Sequence, residues 1–324
     1  MKYRKLGKTG IVVSEIGFGA WGIGGTAKGS IAYGKTDDQE SSLALRLAYD
    51  LGVTYYDTSD LYGFGHSECL IGATLRDVRD KIVIGTKVGF LRTDAQNFSP
   101  KHIRNSLEKS LKRLKTDYID LYQLHSPPMQ CLKEDHQILS TLYSLVDEGK
   151  VRVIGISARS PDDALIAATE FGFKVLQVNF NLVDQRALTN GFFGFCEQNE
   201  VGIIARTPLC FGFLTGNYSE DTGFSSGDHR KLWSQEQIKK WDQARQLFLN
   251  DFKDMSVQDS TQLALRFCLS YSPISTVIPG ILNRQHIKEN TQASQFGVLS
   301  EQALAKIEKI YKENTFFVER KPSL

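Results

Sequence analysis

The chain has 324 residues, 39 Lys and Arg against 37 Asp and Glu, a net charge of +2 and 41% hydrophobic residues. This near-neutral balance removes the electrostatic case for nucleic acid or an anionic membrane as partner, and no apolar run nears the roughly 20 residues of a membrane span. Five scattered cysteines (Cys69, Cys131, Cys196, Cys210, Cys268) without a C-x-x-C pair argue against a disulfide framework or structural zinc.

The start, "MKYRKLGKTG", lacks the apolar core of a signal peptide, so a cytoplasmic location is expected. Its continuation, "KYRKLG…IVVS", reads as a hairpin that plugs one end of the fold. "SEIGFGA" from Ser14 is the first strand of the main series. Here Gly17, Gly19 and Gly22 spell G-x-G-x-x-G, with Asp37, Asp38 and Glu40 about where a ribose-binding carboxylate would fall. A dinucleotide-binding turn, however, needs a helix to begin at the glycines, and no helical period starts before about Asp38. The glycines are therefore assigned to a tight strand-end loop beside a bound molecule.

Leu43, Leu47 and Leu51 before Gly52 form the stripe of a first helix. "VTYYDT" and "KIVIGTKV" follow as strands. Ser99-Pro100 is an N-cap with Pro at the first helical position, and Ile103, Leu107, Leu111 and Leu114 line one face behind it. "DYIDLYQLH" is the next strand, and Leu132 to Val146 before Gly149 is another helix. After the strand "VRVIGIS", Ser160-Pro161-Asp162-Asp163 repeats the capping device, with Gly172 as the stop. The strands "KVLQVNF", "VGIIAR" and "STVIPG" complete the series. Between the last two lie about seventy residues carrying the polar "GNYSEDTGFSSGDHRKLW" and the helix-like "SQEQIKKWDQARQLF", expected as a lid over a site.

Most strands are apolar without alternation, as strands buried on both faces should be. Repeated strand-helix units leave a doubly wound sheet or a barrel. Eight strands in this length suit a (β/α)8 TIM barrel forming a single domain, residues 1–324, with the hairpin plug and an extended lid loop between barrel strands 7 and 8.

Chemistry in such a barrel sits where the strands end. Asp57 closes "VTYYD", Tyr62 follows in "TSDLYG", Lys87 lies in "IVIGTKV" and His125 closes "YIDLYQLH". A buried lysine requires a nearby carboxylate, and Asp57 is the natural partner. An adjacent ammonium is expected to stabilise the Tyr62 phenolate and lower a pKa that is otherwise near 10. His125 can hydrogen-bond a substrate oxygen or relay a proton. Together they make a proton donor and acceptor for a carbonyl or alcohol oxygen.

At these residues the chain resembles the aldo-keto reductase superfamily, from about Leu6 to about Asn290. "YYDTSDLYGFGHSECLIG", "IGTKVG" and "SLKRLKTDYIDLYQLHSP" look like its aspartate-tyrosine, lysine and histidine segments. The resemblance implies a (β/α)8 barrel, the catalytic set Asp57, Tyr62, Lys87 and His125, and reversible hydride transfer between NADP(H) and a carbonyl/alcohol pair. It places Gly19, Ala20 and Trp21 near nicotinamide and substrate. Ser157 and Gln177 match the amide-binding positions, although Ala158 stands where an asparagine is usual. Arg206 takes the place of a ring stacked on the nicotinamide, and a guanidinium plane can also stack. Thr207, Pro208, Leu209, Gly212 and Gly216 resemble the pyrophosphate-spanning loop, and "VIPGILNRQHIKEN" the adenosine end, with Glu289 and Asn290 matching. Gly280 and Ile281 replace the lysine and serine of strongly NADP-dependent members, which leaves Arg284 and His286 as candidates for a 2′-phosphate. The cofactor is thus expected to be NADP, with NAD as the alternative.

The expected substrate is a small carbonyl compound or sugar; its identity and the oligomeric state are left unassigned. Two other readings stay open: a Schiff-base lyase or aldolase with Lys87 as nucleophile, and a cofactor-retaining regulatory protein. Trp21, Tyr33, Phe90, Phe211 and Trp233 are candidate pocket liners.

Overall fold

The computed structural model describes residues 1–318 apart from 27–28, 94, 251 and 253–258. Strands β1 (Tyr3–Lys5) and β2 (Val12–Ser14) form an antiparallel hairpin. The barrel strands are β3 (Phe18–Gly19), β4 (Tyr55–Asp57), β5 (Val83–Val88), β6 (Ile119–His125), β7 (Val151–Ser157), β8 (Val175–Asn179), β9 (Gly202–Arg206) and β10 (Ile274–Ile278). All eight run parallel in sequence order. Bridges from Ile16 to Val277 and from Gly19 to Gly280 join β10 back to β3, so the sheet closes as a (β/α)8 barrel.

Two apolar layers hold it. Tyr55, Val83, Leu121, Val175, Ile204 and Ile278 fill the interior together with Leu6, Ile11 and Val13 of the hairpin. Val83 and Val175 open their strands, so the hairpin plugs the end where strands begin. The second layer lies between strands and helices.

The helices before the long insertion are α1 (Asp38–Asp50), α2 (His66–Thr74), α3 (Pro100–Leu114), α4 (Met129–Glu134), α5 (Gln137–Asp147), α6 (Pro161–Thr169), α7 (Arg186–Thr189) and α8 (Phe192–Asn199). After β9 come α9 (Gln235–Asn250), α10 (Ser260–Leu269), α11 (Arg284–Phe296) and α12 (Glu301–Glu313). Ser99 and Ser160 cap α3 and α6 as expected, accepting from the backbone N–H of His102 and Asp163.

Two helix readings are corrected. The Leu43-Leu47-Leu51 stripe is not the buried face of α1: Leu43 and Leu51 are exposed, while Ser41, Ala44, Leu45 and Ala48 are buried. Small side chains let α1 lie close to α2 and α11, and the leucines splay to the flank. The helix expected over Leu132–Val146 is two, because Asp135 is extended (φ −126°, ψ 91°) between α4 and α5.

The long connection after β9 runs through two 3-10 turns, Cys210–Thr215 and His229–Leu232, before α9. Ala32 N donates to Gly227 O and His229 N to Ala32 O, so this connection zips onto the loop after β3. Trp241 of α9, fully buried against Phe211, Phe213 and Trp233, anchors it. Among the described residues no helix is long and apolar enough to cross a membrane.

Candidate active site

The strand ends bring Asp57, Tyr62, Lys87 and His125 together. Asp57 is the last residue of β4, Lys87 is next to last in β5, and His125 ends β6. Tyr62 opens a 3-10 turn after β4, its N–H donating to Ser59 O at 3.1 Å. Lys87 is fully buried; its ammonium donates to the Asp57 carboxylate, to Thr58 O at 2.8 Å and to the Tyr62 hydroxyl at 3.3 Å. The other Asp57 oxygen accepts from Gln177 Nε2 at 2.7 Å and Tyr55 OH at 3.2 Å. Buried charge is thus paired and hydrogen-bonded on both sides, the condition for keeping it ionised.

Burial by itself would strip the proton from Lys87, but Asp57 and the Tyr62 oxygen outweigh it and hold the ammonium above its ordinary pKa. For Tyr62 the expected acidification is not the net result. Burial raises the phenol's pKa; Lys87 and, more weakly, Arg206 pull it down, and the group ends above 10.0. Desolvating a phenolate at the floor of a cleft exceeds what one neighbouring ammonium returns. Burial, then the charges of Lys87 and Arg206, drive His125 well below 6.5, so the imidazole is neutral. Its Nδ1 lies 3.3 Å from Ser59 Oγ, leaving Nε2 for the cleft.

The cleft has two joined chambers. The wider, of about 410 Å3, takes its walls from Gly19, Ala20, Trp21, Tyr62, His125, Gln177 and Arg206. The narrower, of about 70 Å3, is lined by Thr207, Pro208, Leu209 and Gly212 on one side and His286, Glu289 and Asn290 on the other. Tyr33, Thr207, Phe211 and Gly280 belong to both. Trp21, Tyr33 and Phe211 therefore line the cleft as expected. Phe90 packs against the His125 ring instead, and Trp233 sits in the cluster around Trp241.

Three of the expected cofactor positions lie off the cleft. Ser157 is buried behind Gln177 and donates to its Oε1 at 3.1 Å, which orients the amide toward Asp57. Gly216 ends the 3-10 turn with φ 89° and backs onto Arg245. Arg284 is turned outward, its backbone N–H and guanidinium both bound to the Glu40 carboxylate at 2.9–3.2 Å.

The residues fit an elongated nucleotide carrying amide and phosphate acceptors. Asn290 Nδ2 and Arg206 Nε are buried donors without partners among the described residues, and both residues line the cleft. Such donors are costly unless a ligand accepts from them. Thr207, Cys210 and Phe211 hold φ of 46–56° along the same wall, strain of the kind that gathers at ligand clamps.

Arg230 is a cleft residue that sequence reasoning passed over, apart from its place in the "SGDHR" loop. It lines the narrower chamber at 4% exposure, gripped by both oxygens of Asp228 and flanked by the Tyr218 and Phe224 rings at 4.1 and 4.6 Å. The signal available was an acid and a base two residues apart in a Gly/Ser-rich segment.

Residues 15–312 match the model of the aldo/keto reductase family. The chain is 35% identical to the aldo-keto reductase YhdN of Bacillus subtilis over 71% of its own length and 69% of that protein's. It is 31% identical to the aldo-keto reductase yakc [NADP(+)] of Schizosaccharomyces pombe, over 89% of this chain and 85% of the other. Among solved structures it superposes on the holo form of aldo-keto reductase AKR11C1 from Bacillus halodurans with a TM-score of 0.80 at 26% identity, covering 97% and 98% of the two chains.

Proposed function

The chain belongs to the aldo/keto reductase family, and from that premise we propose that it interconverts an aldehyde, ketone or sugar with its alcohol, using NADP(H), or NAD(H) in its place, and Tyr62 as the proton-transferring group. The observation that carries the reading is the Tyr62 hydroxyl at 3.3 Å from a buried ammonium, beside a neutral histidine in one cleft. The reading treats residues 1–324 as one cytoplasmic domain acting on small molecules.

A nicotinamide held in the cleft would supply the hydride for the carbonyl carbon. Gly19, Trp21, Gln177 and Arg206 would hold its ring end, and Thr207–Leu209, Gly212, Arg230 and Asn290 the remainder. Tyr62 delivers its proton to the carbonyl oxygen as negative charge develops there. Because its phenol is raised above 10.0, it is protonated at neutral pH and ready to donate. Lys87 sits against the phenol oxygen and neutralises the phenolate left behind. Asp57, saturated by Lys87, Gln177 and Tyr55, keeps that ammonium charged and fixed. Neutral His125 offers an Nε2 hydrogen bond that orients the carbonyl. In the reverse direction Tyr62 must first lose its proton, so alcohol oxidation calls for a higher pH than reduction.

The lyase alternative needs a neutral Lys87 amine, which the three-fold hydrogen bonding and raised pKa of its ammonium disfavour. Borohydride trapping of a substrate on Lys87 would restore it. The deciding experiment is Tyr62→Phe, assayed with NADPH and NADH on a panel of aldehydes and sugars. Reduction should fall by about 10²–10⁴ while cofactor affinity holds within about twofold. Near-normal turnover in that variant would refute the assignment.

A further inference from the structure

The wall of the wider chamber carries a further charged residue besides Asp57 and Arg206. After β5 the chain folds into a small hairpin: Leu91 N donates to Ala95 O and Asn97 N to Gly89 O, both at 2.8 Å, and Phe90 bridges to Gln96. Near its tip stands Arg92, which lines the chamber. The root of this hairpin is tied to the reacting end. The Phe90 ring meets His125 edge-on at 4.9 Å, and Gln96 Nε2 donates to the carbonyls of His125 and Ser126 at 3.0 and 2.9 Å. On the other side the Arg92 guanidinium lies 4.6 Å from the centre of the Phe64 ring, and Phe64, two residues beyond Tyr62, lines the same chamber. Arg92 is therefore rooted two residues from a neighbour of His125 and lies over the ring of a residue two from Tyr62, each about 7 Å of backbone.

Among the described residues nothing neutralises this cation. Arg92 has no hydrogen-bond or ion-pair partner among the described residues; its one contact of this kind is the Phe64 face. The carboxylate of the chamber, Asp57, is fully engaged by Lys87, Gln177 and Tyr55. A guanidinium whose only such contact is an aromatic ring keeps N–H donors free, and such donors take a carboxylate or phosphate by two parallel hydrogen bonds. Leu61, Phe64 and Trp21 add apolar lining to the same chamber.

We infer that Arg92 is an anion subsite and that the substrate class is short-chain aldehydes or ketones carrying a carboxylate or phosphate at the end away from the carbonyl. The inference rests on Tyr62 marking the reacting end of the cleft.

The test compares matched pairs of substrates: succinic semialdehyde against butanal, and glyceraldehyde 3-phosphate against glyceraldehyde. In the wild type the ratio of kcat/KM, anionic over neutral, should be about tenfold or more for at least one pair, and the pair with the larger ratio tells carboxylate from phosphate. Arg92→Ala should lower that ratio by about tenfold, and Arg92→Lys should restore part of it. A second measurement reads the subsite without turnover. Tryptophan fluorescence should report 4-hydroxybutyrate binding about tenfold tighter than 1,4-butanediol, a preference lost in Arg92→Ala. Ratios near one for both pairs, or a ratio that survives Arg92→Ala, overturn the anion subsite. Loss of turnover on every substrate while the binding preference and its Arg92 dependence remain would strike the Tyr62 reading and leave the subsite standing.

Discussion

Changing Asp57 to Asn keeps the shape of the site and removes the charge that Lys87 depends on. Three donors converge on this carboxylate: the Lys87 ammonium, Gln177 Nε2 at 2.7 Å and Tyr55 OH at 3.2 Å. An amide can accept from only part of that set. Lys87 is fully buried, and Thr58 O and the Tyr62 hydroxyl are its remaining acceptors. An uncompensated buried charge costs about 3–5 kcal/mol. The variant can instead fold with a neutral lysine, at a cost of roughly 5 kcal/mol at pH 7 and about 1 kcal/mol at pH 9.5 for an amine of ordinary pKa. With about 2.1 cal/mol/K of unfolding entropy per residue, 4 kcal/mol corresponds to about 6 °C in Tm for a chain of this length. In the variant the unfolded state binds more protons than the folded one, so its stability rises with pH across this window. In the wild type Lys87 is held above its ordinary value, so its contribution is intact below the unfolded pKa near 10.4 and is lost above it. Calorimetry should therefore find a Tm gap of about 6 °C at pH 7 that narrows to about 2 °C at pH 9.5. A gap that is constant or widens with pH refutes the buried-charge account.

Other perturbations probe separate parts of the molecule. Gly85→Ala would drive a methyl into the Tyr55 hydroxyl inside the barrel, so calorimetry should show a Tm lower by about 2–4 °C, and an unchanged Tm would argue against that contact. His229 is packed among Trp21, Tyr33 and Phe211 with neither ring nitrogen partnered among the described residues, and burial pushes its imidazole down to about 4. The stability of its neutral form is present above pH 6.5 and lost as pH falls, about 2 kcal/mol by pH 5, so His229→Phe should lose less Tm between pH 7 and 5 than the wild type; parallel profiles would count against it. Arg206→Ala should weaken NADPH binding by about tenfold in a fluorescence titration with little change in Tm, and unaltered affinity would remove Arg206 from the cofactor wall.

Much of the site was legible because buried parallel strands are almost wholly apolar, so Asp57, Lys87 and His125 stand out where "VTYYD", "IVIGTKV" and "YIDLYQLH" end. Ser99-Pro100 and Ser160-Pro161 were legible for a local reason, since a cap acts within three residues. What stayed hidden depends on partners remote in the chain. Arg284 is taken by Glu40, 244 residues away, and the environment of Arg230 requires the connection after β9 to fold over Tyr33. The burial of α1 on Ala44 and Ala48 follows from how near α2 and α11 lie, which leucine periodicity does not encode. The Tyr62 phenol needed the depth of the cleft as well as its neighbour: proximity to Lys87 was readable, and the larger opposing effect of burial was not.

The glycine spacing near the start of the barrel shows how one pattern can serve a different physical end. A 3-10 turn, Gly22–Gly24, follows Trp21 and α1 begins only at Asp38, so among the described residues no α-helix starts at these glycines to hold a phosphate. The glycines instead allow backbone to meet backbone. A Cβ at Gly19 would stand 2.6 Å from Pro279 O, at the seam where β3 joins β10. One at Gly24 would stand 2.8 Å from Gly63 N and 2.9 Å from the Tyr62 carbonyl carbon. The first approach places Gly19 opposite Gly280, one of the four residues that line both chambers. The second sets the turn that carries the Tyr62 hydroxyl to the Lys87 ammonium. A side chain at either position would shift the seam or the turn, so this glycine segment acts on the chemistry through the backbones it lets approach.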